Sequence, residues 1–162
     1  MNDVFFEWFN QYLSRELAVF FISGLPIVEL RGAIPLAISL GMSPLKAYGL
    51  AVVGNTIPVI PLLLLLVPVR KFLREHLEFM DRFFTWLDKR TITKGERIEK
   101  YGALALILFT AIPFPTTGAW TASLAAVLFK IKFRYAFPAI VAGILLAGII
   151  MIILSITGKA IL

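Results

Sequence analysis

The chain has 162 residues, of which 59% are hydrophobic, and it carries a formal net charge of +6 at pH 7. Its mean hydropathy of +0.88 excludes an ordinary soluble domain, in which roughly half of the residues are apolar. The absence of cysteine excludes disulfides and thiolate chemistry. The basic residues flank apolar stretches, which indicates membrane topology and contact with anionic lipid rather than nucleic acid.

In chain order, the hydropathy pattern predicts an integral membrane protein with two full crossings. The charge-free runs 47–69 and 135–158 hold 23 and 24 residues, and each can cross a hydrocarbon core of roughly 30 Å. The predicted elements are an amphipathic helix (4–16), a broken apolar stretch (17–42), a spanning helix (44–69), a charged amphipathic connector (70–100), a second broken stretch (101–129) and a last spanning helix (135–158).

The two broken stretches predict re-entrant helical hairpins. Each lies in a segment of 29 residues, and each is split into pieces of 12 and 14 residues. At about 1.5 Å per residue, such pieces are too short to cross the membrane alone. Pro26 and Pro35 bracket the first break, and Pro113 and Pro115 mark the second. Half-spans that meet near mid-membrane are typical of transporters.

The second half of the chain resembles the first in its order of elements. Gly32-Ala33 after the first break matches Gly118-Ala119 after the second, and Lys46 before the first span matches Arg134 before the second. The fold class predicted is therefore an all-α membrane protein built as an inverted repeat. A single membrane domain would hold a first repeat at 1–69, the connector at 70–100 and a second repeat at 101–162.

The distribution of basic residues favours hairpins that return to their own side of the membrane. In that arrangement, nine basic residues of 70–100 share one face with Lys130, Lys132 and Arg134. The positive-inside rule then makes the connector cytoplasmic and leaves both termini outside, as expected for a multi-pass protein of a prokaryotic cell membrane. The two halves would be antiparallel.

Glu29 and Arg31 are the only charged residues within the two broken stretches. Ionisable groups within a membrane are costly and usually face a cavity or pair with one another. On an unwound loop between the prolines, Glu29 could load and release a proton, and Arg31 could bind a phosphate or carboxylate. A salt bridge that only holds the hairpin together is the alternative. A new helix is expected to start near Gly32.

The second break carries hydroxyl groups instead of charges. Thr116, Thr117 and Gly118 follow the prolines, and a new helix is expected to begin near the threonines. Helix N-termini within a membrane are natural anion sites. A continuous helix with a proline kink is the alternative. Asn55 could line the path of a transported substrate. Arg134 is expected to anchor the second span at the membrane interface or to contact lipid phosphate.

The motifs Glu29-Leu30-Arg31-Gly32-Ala33-Ile34-Pro35 and Ala111-Ile112-Pro113-Phe114-Pro115-Thr116-Thr117-Gly118-Ala119-Trp120 resemble the paired signatures of the bacterial and archaeal "putative small multi-drug export protein" family. That family is regarded as a branch of the DedA/VTT superfamily of SNARE-associated membrane proteins. The resemblance implies two re-entrant loops that meet in the membrane. It also implies transport or scrambling of lipids, as in the proton-dependent recycling of a polyprenyl-phosphate carrier by bacterial relatives. It assigns membrane-embedded acidic and arginine roles to Glu29 and Arg31.

The leading hypothesis is a proton-coupled transporter or flippase for an anionic lipid phosphate, such as a polyprenyl phosphate or a phospholipid. Two alternatives stay open, a small-cation or drug exporter with Glu29 as its site, and a scaffold that does not transport. The sequence shows no nucleophile, metal-ligand or cofactor motif, so neither an enzyme nor a cofactor is expected. The expected partners are membrane lipids, an anionic lipid head group and a second copy of the chain, since two crossings shield a polar cavity poorly.

Overall fold

The fold is known from a computed structural model, which describes residues 15–92, 95–114 and 117–161. The regular elements described are all α-helices, so the all-α class is confirmed. The predicted amphipathic helix at 4–16 lies almost entirely outside the described residues. In chain order the helices are α1 (Arg15–Gly24), α2 (Glu29–Ser39), α3 (Pro44–Thr56), α4 (Val59–His76), α5 (Glu78–Ile92), α6 (Gly95–Ala111), α7 (Ala119–Leu128) and α8 (Phe133–Ile161).

Two stretches are long and apolar enough to cross a membrane. The first runs over Pro44–His76 with 33 residues, and the second over Phe133–Gly158 with 26 residues. The first stretch is divided by a turn that ends at Pro58, the residue directly before α4. Proline is well tolerated at a helix start because its missing N–H would have no intrahelical partner there.

The chain divides into two compact units. Unit 1 holds Met1–Asn55 and Gly148–Leu162, and unit 2 holds Thr56–Ala147. In unit 1, α1 and α2 pack against each other as a helical hairpin, and α6 and α7 do the same in unit 2. Each unit therefore combines one hairpin with the first part of the span that follows it and the last part of the other span.

The second arms of the two hairpins are short. Helix α2 has 11 residues and α7 has 10, so each measures about 15 Å along its axis, roughly half of a hydrocarbon core. Their buried faces carry small residues at the same spacing. Ala33 and Ala37 of α2 and Ala122 and Ala126 of α7 are all fully buried. Small side chains let the arms of a hairpin approach each other closely.

Both second arms end in the same backbone motif. Gly41 and Lys130, which lie 89 positions apart, have left-handed φ values of +80° and +54°. Two hydrogen bonds then close each helix in the Schellman pattern. In unit 1, Gly41 N–H donates to Ile38 O at 3.1 Å and Met42 N–H donates to Ala37 O at 3.0 Å. In unit 2, Lys130 N–H donates to Val127 O at 3.2 Å and Ile131 N–H donates to Ala126 O at 2.8 Å. Helices α3 and α8 then begin at positions that are also 89 apart.

Each span also contacts the first arm of its hairpin through a glycine. In unit 1, a Cβ atom at Gly54 would overlap the carbonyl oxygen of Phe20 and the hydroxyl of Ser23. In unit 2, a Cβ at Gly143 would overlap Thr110 and lie 2.8 Å from the carbonyl oxygen of Ile107. The two contacts use the same i, i+3 spacing on the first arm, which indicates the same packing within the two units.

The structural register differs from the one read in the sequence. Pairing Gly32 with Gly118 shifts the second arms by three positions, because Gly32 lies inside α2 whereas Gly118 precedes α7. At the offset of 89, Glu29 corresponds to Gly118, and Lys46 does not correspond to Arg134. The turn between α6 and α7 is also longer than the turn between α1 and α2. Apolar residues are interchangeable in such helices, so residue identity does not define the register.

Candidate functional site

The first break is a short turn rather than the long unwound loop predicted between Pro26 and Pro35. The turn occupies residues 25–28, and the Glu29 N–H donates to the Leu25 carbonyl oxygen at 3.0 Å. Helix α2 begins at Glu29, three residues before the start predicted at Gly32. Pro26 lies in the turn, but the assignment of Pro35 as a hairpin break is wrong, since this residue lies inside α2.

Packing explains why Pro35 does not end the helix. A proline inside a helix costs about 3 kcal/mol, because it removes one backbone donor and crowds the preceding turn. Ala33, Ile34 and Ala37 around it are fully buried, and their burial offsets this cost.

Glu29 occupies an unusual position for a carboxylate. Its residue is only 6% exposed, and its backbone φ is +49°, in the left-handed region that non-glycine residues rarely adopt. Backbone strain of this kind costs about 1–3 kcal/mol and is found most often at functional sites. As the first residue of α2, Glu29 also lies where the helix dipole stabilises negative charge.

Arg31 lies two residues further along the first turn of α2 and is half-buried. The opposite charges of Glu29 and Arg31 attract each other across this first turn, although side chains two positions apart point to different sides of a helix. Gly32 follows without a side chain. A Cβ atom there would overlap the side chain of Val28, so this glycine serves the packing of the turn against α2.

Asn55 is the third polar feature of unit 1. It lies near the end of α3 and is 1% exposed, and among the described residues neither its amide nitrogen nor its amide oxygen has a hydrogen-bond partner. A buried amide without partners costs about 1–3 kcal/mol. Asn55 is therefore a buried polar group whose hydrogen-bonding capacity is not used within the described part of unit 1.

The hydroxyl of Thr117 forms hydrogen bonds to the backbone of the second break. It donates to the carbonyl oxygens of Ile112 at 2.8 Å and Phe114 at 3.2 Å. The hydroxyl thus satisfies carbonyl groups of the break and does not cap the helix that follows. Helix α7 begins at Ala119, two residues after the predicted start, behind the buried Gly118.

The predicted site residues fall into the two units. Glu29, Arg31, Gly32 and Asn55 belong to unit 1, and Thr117, Gly118 and Arg134 belong to unit 2. Pro113 lies in the second break as described, whereas Pro115 and Thr116 lie outside the described residues. Arg134 is exposed near the start of α8, and its guanidinium carbon lies 4.8 Å from the ring centroid of Tyr135.

Sequence reasoning did not identify an ion-pair cluster in unit 2, the Asp88 cluster (Arg70, Arg74, Asp88 and Lys130). Asp88 of α5 is buried, and its Oδ2 lies 3.1 Å from Nη1 of Arg74 and 2.7 Å from Nζ of Lys130. Its Oδ1 accepts a hydrogen bond from Arg70. The spacing of Arg70 and Arg74 on one face of α4 was the available signal, but their partner is far along the chain.

The environment of Asp88 stabilises its ionised form. Burial alone raises the pKa of this carboxyl, but hydrogen bonds and positive charge from Lys130 and Arg70 outweigh burial and hold the pKa below its ordinary value of 3.8. A carboxylate with a lowered pKa contributes stability above its ordinary pKa, and this contribution is lost as the pH falls through the lowered value.

Replacing Asp88 with asparagine is expected to destabilise the protein at neutral pH by about 3 kcal/mol, because Arg70 and Lys130 would lose their shared anion, while Arg74 would keep only its ion pair with Asp81 at 3.0 Å. Thermal unfolding in detergent, followed by circular dichroism from pH 7 to pH 3, measures this. The difference between wild type and Asp88→Asn should shrink as the pH falls below 3.8, because the unfolded chain takes up a proton there before the folded Asp88 does, and it should vanish at the lowered pKa of the folded state. A difference that stays constant over this range would contradict the assigned ion pairs.

These features define a class of protein, a helical membrane protein with two spans and two hairpins whose breaks carry polar groups. A family model described as "Putative small multi-drug export protein" matches residues 29–150. The match covers most of the chain, so the chain belongs to this family, whose description implies membrane transport. No curated protein and no solved structure gives a significant match.

Proposed function

We propose that the protein is a proton-coupled transporter or flippase for an anionic lipid phosphate, such as a polyprenyl phosphate or a phospholipid. One observation carries the proposal. A buried, backbone-strained carboxylate and a half-buried guanidinium share the first turn of a hairpin arm that is too short to cross a membrane. Ionisable groups at such positions generally mark substrate and ion pathways.

The head group would bind at the start of α2. A guanidinium presents a planar fork of donors that matches a phosphate, and the first N–H groups of a helix add favourable partial charge. Arg31 supplies the fork, and the exposed residues 25–27 of the turn directly precede the first turn of the helix. In unit 2, the start of α7 behind Gly118 offers a second set of backbone donors, without a charged side chain.

Glu29 would carry the coupling proton. Burial opposes ionisation of a carboxyl, whereas a neighbouring guanidinium favours it, so arrival or departure of an anion at Arg31 would change the proton affinity of Glu29. Asn55 supports a polar route within unit 1, because its buried amide has no partner among the described residues. A water molecule or the head group could satisfy that amide.

The proposal includes an inverted repeat with re-entrant hairpins in the cell membrane, both termini outside, the connector cytoplasmic and a dimeric assembly. Three features support a duplicated architecture. Both second arms end in a Schellman motif, and both spans contact the first arm of their hairpin through a glycine. Each unit also contains the last part of the span that begins in the other unit. The resemblance to the DedA/VTT superfamily supports lipid phosphate as the substrate class.

A second candidate function is export of small organic cations, a form of the drug export that the family description names. Glu29 would then bind the proton and the cation in turn. Arg31 argues against this mechanism, because a guanidinium whose charge interacts with Glu29 would repel a cationic substrate. A scaffold that does not transport would need neither charge for its function.

A flux experiment with two substrates separates these functions. The purified protein is reconstituted in liposomes, and movement of a fluorescent polyprenyl phosphate and of a quaternary ammonium dye is followed with and without a pH gradient. The proposal predicts gradient-dependent movement of the phosphate and none of the dye. Movement of the dye alone would establish the cation exporter, and movement of neither by folded protein would favour the scaffold.

A further inference from the structure

A cavity in unit 2 combines an apolar wall with a basic end. Its volume is about 480 Å³, within the range of small-molecule binding sites. Helix α4, the end of α7, the connection to α8 and the first residue of α8 line it. The lining residues are Leu63, Leu64, Val67, Arg70, Val127, Lys130, Ile131, Lys132 and Phe133.

The chemistry of the lining changes along α4. Leu63, Val67 and Arg70 follow at spacings of four and three residues, so they lie on one face of the helix. From Leu63 to Arg70 the helix rises about 10 Å, and the face changes from aliphatic to cationic over this distance. Lys130 and Lys132 add two further cations. An amphiphile with an anionic head fits this gradient.

The lining of the basic end contains three cationic side chains and, among the described residues, no acidic one. The carboxylate of Asp88 forms ion pairs with Arg70, Arg74 and Lys130. Lys130 remains half-exposed, and Lys132 is exposed on the same connection. A phosphate at this end could share Lys130 with Asp88 and take Lys132 as a second partner, with charge-assisted hydrogen bonds.

A cavity beside the corresponding connection in unit 1 provides a partial comparison. A smaller cavity of about 240 Å³ lies there, lined by Arg15, Glu16, Leu40, Gly41, Met42, Ser43 and Lys46. At the offset of 89, Gly41 stands in place of Lys130 and Ser43 in place of Lys132. Lys46 is paired with Glu16 at 2.6 Å. The unit 1 cavity therefore contains an acid–base pair, whereas the described lining of the unit 2 cavity contains basic side chains and no acid.

We propose that this cavity binds one anionic phospholipid, with the phosphate at Lys130 and Lys132 and an acyl chain along Leu63, Leu64 and Val67. Charge complementarity selects the head group, and the apolar face of a helix that can cross a membrane selects the chain. The site is separate from the first turn of α2, so it does not depend on the transport proposal.

Binding of defined lipids to the purified full-length protein in detergent tests the site. Dioleoyl phosphatidic acid, dioleoyl phosphatidylcholine and inorganic phosphate are titrated and followed by native mass spectrometry. Lys132→Gln is compared with Lys71→Gln, which removes a charge from a side chain 79% exposed outside the cavity. Val67→Trp fills the cavity, and Leu65→Trp, at a position 62% exposed on the same helix, is its control.

The expected result is binding of phosphatidic acid at least about tenfold tighter than of phosphatidylcholine. Lys132→Gln should weaken it about tenfold, since a hydrogen bond to a charged group is worth about 1.5 kcal/mol or more. Lys71→Gln should leave it within twofold. Val67→Trp should also weaken binding, whereas Leu65→Trp should not.

Two results would overturn the proposal. Equal effects of Lys132→Gln and Lys71→Gln would indicate attraction to the general surface charge. Binding of inorganic phosphate as tight as that of the lipid, unaffected by Val67→Trp, would indicate a site for a free anion. If Lys132→Gln does not fold, the pair Val67→Trp and Leu65→Trp decides alone, and equal binding by these two variants would exclude the cavity as the lipid site.

Discussion

Replacing Glu29 with glutamine is expected to abolish the response of transport to a pH gradient. Glutamine keeps the size and hydrogen-bonding capacity of the side chain but cannot exchange a proton. Glu29 is the only acidic residue between Glu16 and Lys46, so no neighbour in that stretch replaces it. A barrier increase of only about 1.4 kcal/mol slows a step tenfold, and we expect the gradient-driven rate to fall by at least that factor.

The control is Glu16→Gln, which removes a carboxylate from the same unit but from an exposed ion pair with Lys46. Its gradient-driven rate should stay close to that of wild type. The measurement is initial translocation of labelled polyprenyl phosphate in liposomes at matched protein content. Coupled transport by Glu29→Gln at the wild-type rate would show that another group carries the proton.

Replacing Gly54 with alanine is expected to give the largest loss of stability of any single-methyl change in α3. The added Cβ would overlap the carbonyl oxygen of Phe20, a backbone atom that cannot rotate away. Separating α3 from α1 to make room would lose packing, and overpacking of this kind costs about 1–3 kcal/mol. Thermal unfolding in detergent gives the change in Tm.

Gly49→Ala is the matched control on the same helix. An added Cβ at Gly49 meets no atom within 4 Å, so alanine there should stabilise α3 by about 0.5–1 kcal/mol through its helix propensity. The two variants should therefore shift Tm in opposite directions. A Tm for Gly54→Ala at or above that of wild type would contradict the close contact between α1 and α3.

The sequence alone predicted those parts of the fold in which one physical requirement restricts many residues at once. Runs such as 47–69 can cross a membrane because they lack charge over the needed length, and that requirement is visible in any single sequence. Whether a single proline ends a helix cannot be predicted in this way. Pro35 lies inside α2, because burial of Ala33, Ile34 and Ala37 outweighs its local effect, and burial depends on the tertiary structure.

The candidate site also combines features that the sequence alone predicts with features that depend on the tertiary structure. The isolated charges of Glu29 and Arg31 were evident as costly exceptions in an apolar stretch. The left-handed backbone of Glu29 was not evident, since the turn before α2 imposes it. The Asp88 cluster joins α4, α5 and the connection after α7, and pairs so distant in the chain leave no local pattern.

Re-entrance of the hairpins is the central claim of this account, and single-cysteine labelling across the second hairpin tests it most directly. The chain has no native cysteine, so Glu78→Cys before the hairpin and Arg134→Cys after it each create one exposed thiol. Cells are treated with a membrane-impermeant maleimide before and after permeabilisation. A re-entrant hairpin predicts that both positions react only after permeabilisation, whereas labelling of Arg134→Cys in intact cells with Glu78→Cys protected would show that the second hairpin crosses the membrane.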